Sequence, residues 1–186
     1  MPRLFFALWP DDDARAAVAV VADALRLVAG HKVPAANYHL TLAFLGEVDH
    51  AAAATAQAIG AAIHGASFTM SLNTFGWWRK PAVAWIAPSD PLAPLVDLAQ
   101  TLGNALRVAG IPVEAKAYRP HLTLARKVTA RPVLEHEFEV RWSIGALHLI
   151  ESRAGAAGVR YEPIAHWPWR PDSGCDVKQL CDNTSR

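Results

Sequence analysis

The sequence predicts an α+β fold of two pseudo-symmetric lobes, each an antiparallel sheet backed by helices, with a cleft between them. Three observations carry that expectation. The pentapeptide His-Leu-Thr-Leu-Ala occurs twice, in "HLTLAFLG" at residues 39–46 and in "HLTLARKV" at residues 121–128. Related flanks precede both copies, "ALRLVAG" before the first and "ALRVAG" before the second. Agreement that extends into the flanks makes chance a poor explanation, and two copies are too few for a solenoid. Finally, stretches with strand-like alternation and stretches with helical spacing succeed one another along the chain.

Taken in order, "RLFFALWP" reads as a first strand, ended by Pro10 and the run Asp11, Asp12 and Asp13. Asp11 or Asp12 caps a helix whose apolar positions Val18, Val21, Leu25 and Val28 recur at helical spacing, with Gly30 as its stop. A loop leads into the strand "YHLTLAFLG", after which Asp49 caps an Ala-rich helix ending near Gly65. "SFTMSLNTF" and "AVAWIAP" read as strands joined by the turn "GWWRKP". A helix from Pro91 to Ala109 is stopped by Gly110, and "HLTLARKV", "EFEVRW", "GALHLIES" and "VRYEPIAHW" follow as strands. Residues 1–170 are expected to form one bilobal domain, and 171–186 a polar, disordered tail.

Bulk properties narrow the function classes. The chain has 186 residues, 52% of them hydrophobic, and a formal charge of +1. Such a balance exerts no global pull on a polyanion, so contact with nucleic acid must come from local charge. No stretch is long and apolar enough to span a bilayer, and "RLFFALWP" lacks the cleavage site of a signal peptide. Cys175 and Cys181 both lie in the tail, which excludes a disulfide framework for the fold. A cytoplasmic monomer without membrane attachment is expected.

Within each repeat the strand period puts His39 and Thr41 on one face and Leu40 and Leu42 on the other. His121 and Thr123 stand likewise over Leu122 and Leu124. Residues two apart lie roughly 6.5–7 Å from each other along a strand, so imidazole and hydroxyl both reach a phosphate-sized group. One His-x-Thr in a strand is more often structural. Two in matched contexts are not, because packing requires apolar residues on one face and says nothing of the other. Imidazoles facing each other across a cleft suit general acid–base work near neutral pH. The hydroxyls suit donation to nonbridging oxygens, and a phosphodiester is the substrate that fits best. Metal binding fits less well, with no HExxH, no Cys cluster and no third ligand at suitable spacing. Neither GxSxG nor a P-loop occurs.

These residues resemble a known family. Paired His-x-Thr motifs about eighty residues apart are similar to those of the 2H phosphoesterase superfamily. The strings "MPRLFFALWP", "NYHLTLAFLG", "RKPAVAWIAP", "RPHLTLAR" and "LHLIESR…Y…WPW" resemble its bacterial RNA 2′,3′-cyclic phosphodiesterase branch, also called 2′-5′ RNA ligase. The resemblance implies opening of a 2′,3′-cyclic phosphate on RNA ends or nucleotides to a 2′-phosphomonoester, with no metal or other cofactor. It also implies a weak, ATP-independent 2′-5′ joining in reverse. His39 and His121 would be catalytic, as acid and base respectively by likeness to the family, with the reverse assignment left open by the pseudo-two-fold, and Thr41, Thr123 and Arg126 would bind phosphate. Strict alternation puts Arg126 on the face opposite His121, so that last role requires the strand to twist or end there.

Alternatives remain open at this stage. Sister branches of the superfamily act on ADP-ribose cyclic phosphate or 2′-5′ oligoadenylate. A non-catalytic RNA-end binding module would not need two titratable groups, and a metal-dependent phosphatase would lose activity on chelation. Arg119 either lines the cleft mouth or is a solvated loop residue. Tyr38, Trp77 and Trp78 are candidates for stacking on a base, whereas Phe44, on the leucine face, reads as core. His31, His50, His64, His136, His148 and His166 lack the motif and read as ordinary surface or structural residues.

Overall fold

The computed structural model of the chain describes residues 1–90, 92–114, 117–155 and 158–169; the expected tail, 171–186, lies outside the described residues. Elements follow in the order β1 (Arg3–Leu8), α1 (Asp12–Ala24), β2 (His31–Lys32), a short 3₁₀ turn (Ala35–Asn37), β3 (Leu40–Glu47) and α2 (His50–Ala62). Next come β4 (Phe68–Leu72), β5 (Thr74–Trp78), β6 (Val83–Ala87), α3 (Ala93–Val108), β7 (Leu122–Arg126), β8 (Val140–Ile144), β9 (Ala146–Gly155) and β10 (Gly158–Pro168).

One large antiparallel sheet runs β10-β9-β1-β3-β7-β6-β5, with β2 added on β7, and β4 pairs with β8 in a separate two-stranded sheet. The two lobes are thus halves of one sheet, joined where β3 meets β7 through the single residue pair Leu40↔Leu122. These are equivalent positions of the repeated pentapeptide. An antiparallel pair whose equivalent residues face each other has a local two-fold axis between them, which is the expected pseudo-symmetry. Two causes stop the ladder from extending. The register would next call on Pro120, which has no N–H to donate. On the other side the Leu124 carbonyl accepts from Val33 N at 2.8 Å, so the β2 segment holds that edge of β7.

Helices cover one face of the sheet. Leu4, Phe6, Leu8, Leu40, Leu122, Leu147 and Leu149 are fully buried there, in a core shared with Leu95, Leu102 and Leu106 of α3. Asp11 caps α1 by accepting from Ala14 N, and Asp49 caps α2 by accepting from Ala52 N.

Three expectations are corrected. The helix expected to run to Gly30 ends at Ala24. Leu25 turns extended and buries, while Arg26 exchanges both backbone hydrogen bonds with Val133, leaving Val28 85% exposed. The two Leu-Arg flanks therefore differ in structure, one extended and the other the last turns of α3. "SFTMSLNTF" divides between β4 and β5, which belong to different sheets. Finally, Gly76, Trp77 and Trp78 belong to strand β5 rather than to the turn.

Gly60 lies in α2 against the Trp167 ring, which a Cβ at that position would overlap. On an exposed helix Gly→Ala would stabilise by about 1 kcal/mol. Here Gly60→Ala is expected to destabilise by about 1–3 kcal/mol, the cost of overpacking, in urea unfolding followed by tryptophan fluorescence. A gain in stability would mean that Trp167 moves aside without cost.

Candidate active site

Both motifs carry the same irregularity. On β3, Thr41 pairs with Ala7 and Ala43 with Phe6, so Leu42 has no partner on β1. On β7, Thr123 pairs with Trp85 and Ala125 with Ala84, so Leu124 has none on β6. A bulge of this kind interrupts the alternation, because two successive side chains share one face. Leu42 and Ala43 are both buried, as are Leu124 and Ala125. The next residue of each strand returns to the threonine face. That residue is Phe44 in the first motif and Arg126 in the second. The bulge resolves the alternation problem of Arg126 and corrects the assignment of Phe44 to the core: its ring is 45% exposed and lies 6.5 Å from Phe5.

The cleft face thus holds His39, Thr41, His121, Thr123 and Arg126. With Leu40 opposite Leu122, antiparallel register sets His39 beside Thr123 and Thr41 beside His121. Each imidazole is held the same way. The Nδ1–H of His39 donates to the Asn37 carbonyl at 2.7 Å, and that of His121 donates to the Arg119 carbonyl at 2.8 Å. A carbonyl only accepts, so the proton sits on Nδ1 and Nε2 is left as the titrating nitrogen. Arg119 therefore contributes its backbone, while its side chain is exposed. Neither threonine hydroxyl has a hydrogen-bond partner among the described residues.

Electrostatics favour an anion. Burial pushes the His39 pKa down to about 4; its backbone hydrogen bond opposes this, and the charges of Arg126 and His121 add to it. His121 is lowered as well, first by burial and then by Arg126, against its own backbone hydrogen bond. Arg126 acts on both rings and forms no ion pair among the described residues. An anionic ligand between the imidazoles would reverse these shifts, since it favours the protonated form.

His39 is the more enclosed of the two. Phe5 and Tyr161 lie at 4.9 Å from its ring, and Trp9 stacks on it at 6.1 Å and 15°. His121 meets Trp78 edge-to-face at 4.6 Å. Of the stacking candidates, Tyr38 is buried in the core, and Trp77 spends its indole N–H on the Val128 carbonyl at 2.9 Å. Trp78 stands at the cleft beside His121, and Phe44 lies on the same sheet face.

Asn37 is the participant that sequence reasoning passed over. Its amide donates to the Val159 carbonyl at 2.8 Å and accepts from Tyr161 N at 3.2 Å, while its own carbonyl holds His39. It ties the first imidazole to β10, and it is the buried polar residue among the described residues. Its place two residues before the motif histidine was the available signal. Across the junction, the Tyr118 hydroxyl donates to the Thr41 carbonyl at 3.1 Å.

A family model described as the 2′-5′ RNA ligase superfamily matches residues 10–156. The chain is 30% identical over 140 residues to an RNA 2′,3′-cyclic phosphodiesterase of Escherichia coli strain K12, spanning 75% of this chain and 80% of that protein. It is 27% identical over 193 residues to the protein of that name from Thermus thermophilus, with 95% of each covered. The crystal structure of E. coli LigT with 3′-AMP superposes with a TM-score of 0.83 at 28% identity, covering 91% of this chain and 99% of that one.

Two outcomes are expected. Below pH 6.5 the unfolded chain binds protons that the buried imidazoles refuse, so His39, His121 and His148 each withdraw stability as the pH falls. Chemical denaturation should show this loss between pH 6.5 and about 4, and a His39→Asn variant should show a shallower one. An equal slope in that variant would mean that His39 titrates normally. Asn37→Ala should cost about 1–3 kcal/mol, as for a buried group left unsatisfied, and should broaden the His39 Nδ1–H resonance in NMR spectra. A sharp, unshifted resonance would show that Asn37 does not fix the ring.

Proposed function

Because the chain belongs to the 2′-5′ RNA ligase superfamily, we propose that it is an RNA 2′,3′-cyclic phosphodiesterase that opens the cyclic ester to a 2′-phosphomonoester. The observation that carries this reading is the pair of imidazoles with free Nε2 atoms on one sheet face, beside two hydroxyls and one guanidinium that have no partner among the described residues. The cyclic phosphate sits against Thr41, Thr123 and Arg126. Water attacks phosphorus in line with O3′ and gives its proton to Nε2 of His121. The P–O3′ bond breaks, and O3′ takes the proton of Nε2 of His39. Each histidine ends in the other's starting state, and proton exchange with solvent resets the pair.

The donors for such a step are all side chains of this protein. Hydroxyls and a guanidinium directed at nonbridging oxygens supply the electrostatic part. Imidazoles that trade protons with the attacking and leaving oxygens supply the rest. Among the described residues no group of three or more His, Cys, Asp or Glu is placed to hold a metal. A cytoplasmic monomer, folded as one domain over residues 1–170, is part of the same proposal; no helix among the described residues is long and apolar enough to cross a membrane.

The two histidines are unequal, with His39 pushed down to about 4 by burial and His121 lowered as well. The productive form, with His39 charged and His121 neutral, is then a minor one. It still gives a bell, because both singly protonated forms carry the same number of protons. The optimum of kcat/KM, which reports the free enzyme, is expected below pH 6.5. That of kcat should lie higher, since the bound anion raises both groups. A kcat/KM optimum above pH 7 would contradict the burial argument.

Nucleoside 2′,3′-cyclic phosphates incubated with the protein in excess EDTA should yield the 2′-phosphate. Loss of activity on chelation, restored by a divalent ion, would overturn the two-histidine chemistry. His39→Ala and His121→Ala should each lower kcat by at least about 10², the usual scale of general acid–base catalysis. Thr41→Val or Thr123→Val should cost roughly 10²–10³, as for loss of an oxyanion donor. Wild-type rates in the threonine variants would make those hydroxyls structural.

A further inference from the structure

The polar strip of the cleft does not end with the two motifs. Arg126, the residue that the second bulge returns to the cleft, pairs with His31 of the short strand β2. Directly paired residues put their side chains on one face, so His31 stands on the cleft side next to Arg126. The other residue of β2 fits this placement. Lys32 pairs with Ala125, which is buried in the core under the helices, and its Nζ reaches Asp23 of α1, 3.0 Å from the carbonyl and 3.8 Å from the carboxylate. One side chain of β2 is thus tied to the helices, and its neighbour turns to the opposite face. Gly30 lets the segment lie so close to β7: its φ is +105°, and a Cβ there would lie 2.6 Å from the Arg126 carbonyl oxygen.

His31 is exposed, and among the described residues neither its ring nor the Arg126 guanidinium has a hydrogen-bond or ion-pair partner. The strands β2, β5, β6 and β7 carry no Asp or Glu. This end of the cleft therefore favours an anion, and its distance from the threonines says which one. Thr123 and Arg126 pair with Trp85 and Val83, two residues apart on β6. Arg126 lies roughly 6.5–7 Å beyond Thr123 along the sheet, and His31 is one strand spacing, about 4.8 Å, to the side. The backbone bonds between one phosphorus and the next in an RNA chain span a distance of that order. A guanidinium has donors enough to serve two phosphates, whereas His31 is placed to serve only the further one.

The alternatives are poorer. At the opposite end the first bulge returns an aromatic ring, Phe44, with the Arg3 guanidinium 4.9 Å from its centroid. His148 and His166 pair with each other in line with Ala7 and Thr41, but Ala7 is fully buried in a cluster with Phe5 and Ile150 against which Trp9 and Tyr161 pack. That cluster stands between the two histidines and Thr41.

We propose that His31 and Arg126 form a subsite for the phosphodiester that joins the terminal nucleotide to the rest of an RNA chain. The inference rests on the reading of the site as a cyclic phosphodiesterase, and it makes an RNA end a better substrate than a lone nucleotide. Arg126 holds the cyclic phosphate on one side and the next phosphate on the other. The His31 ring, which has an N–H to donate whether charged or neutral, holds that second phosphate alone.

The test compares kcat/KM at low salt for a nucleoside 2′,3′-cyclic phosphate, a dinucleotide ending in the same group, and that dinucleotide with its internal phosphodiester replaced by an uncharged methylphosphonate. In the wild type the charged dinucleotide should exceed the methylphosphonate by about tenfold, the scale of a charge-assisted hydrogen bond. His31→Ala should remove most of that preference and leave the rate on the nucleoside cyclic phosphate unchanged. His31→Lys, which restores a cation, should keep the preference, and added salt should shrink it by screening exposed charges.

Equal kcat/KM for the charged and uncharged dinucleotides in the wild type would overturn the proposal. So would a preference that survives His31→Ala, or one that salt leaves untouched. If His31→Ala slows all the substrates alike, the residue is structural and the proposal also fails. Loss of the preference in His166→Ala but not in His31→Ala would mean that the chain runs over β9 and β10 instead. Absence of hydrolysis of every substrate in the wild type is a separate result, because it removes the phosphodiesterase reading itself.

Discussion

Leu40 and Leu122 face each other at the one residue pair that joins β3 to β7, and the geometry of the cleft depends on that register. Because side chains alternate with a period of two, a slip of one residue in either strand would turn that strand's histidine and threonine toward the helices and leave the other pair alone in the cleft. It would also carry buried leucines out to the cleft. Both leucines are fully buried beneath the sheet, so hydrophobic packing specifies the register that the polar face uses. Truncating either one to alanine would cost about 2–5 kcal/mol and would loosen the contact that joins β3 to β7.

From that junction the two halves proceed alike and then diverge. The same bulge follows each threonine, and the residue after it is returned to the cleft. In one half that residue is Arg126, whose charge reaches both imidazoles. In the other it is Phe44, which has the Arg3 guanidinium 4.9 Å from its ring centroid. A single duplicated device thus places a cation on one side and an aromatic ring on the other. The surroundings of the histidines diverge too, with three aromatic residues and the Asn37 clamp about His39 and an open indole edge beside His121. Pseudo-symmetry provides two imidazoles held alike through Nδ1, and the departures from it give them different surroundings.

The legible part of the sequence was its local periodicity. The motif strands, the caps Asp11 and Asp49, the long helix before Gly110 and the four grouped residues His39, Thr41, His121 and Thr123 all follow from spacing and turn chemistry. What failed depended on contacts between distant segments. The end of α1 is set by Arg26 pairing with Val133, a partner no window of the sequence contains. A bulge is a mismatch between two strands, so strict alternation on one strand misplaced Phe44 and left Arg126 in doubt. The Asn37 clamp likewise closes onto Val159 and Tyr161, which lie 122 and 124 residues away. Identical pentapeptides announced the symmetry of the site, and only tertiary contacts distinguish its two sides.

The central claim is that both motifs grip a single phosphate across the Leu40–Leu122 junction. A crystal structure of the protein with a nucleoside 2′-phosphate tests this most directly. The account predicts one phosphorus with its oxygens within hydrogen-bond distance of Nε2 of His39, Nε2 of His121 and both threonine Oγ1 atoms, and with the Arg126 guanidinium beside it. A phosphate held by one motif alone, with the other histidine turned away or out of reach, would contradict it.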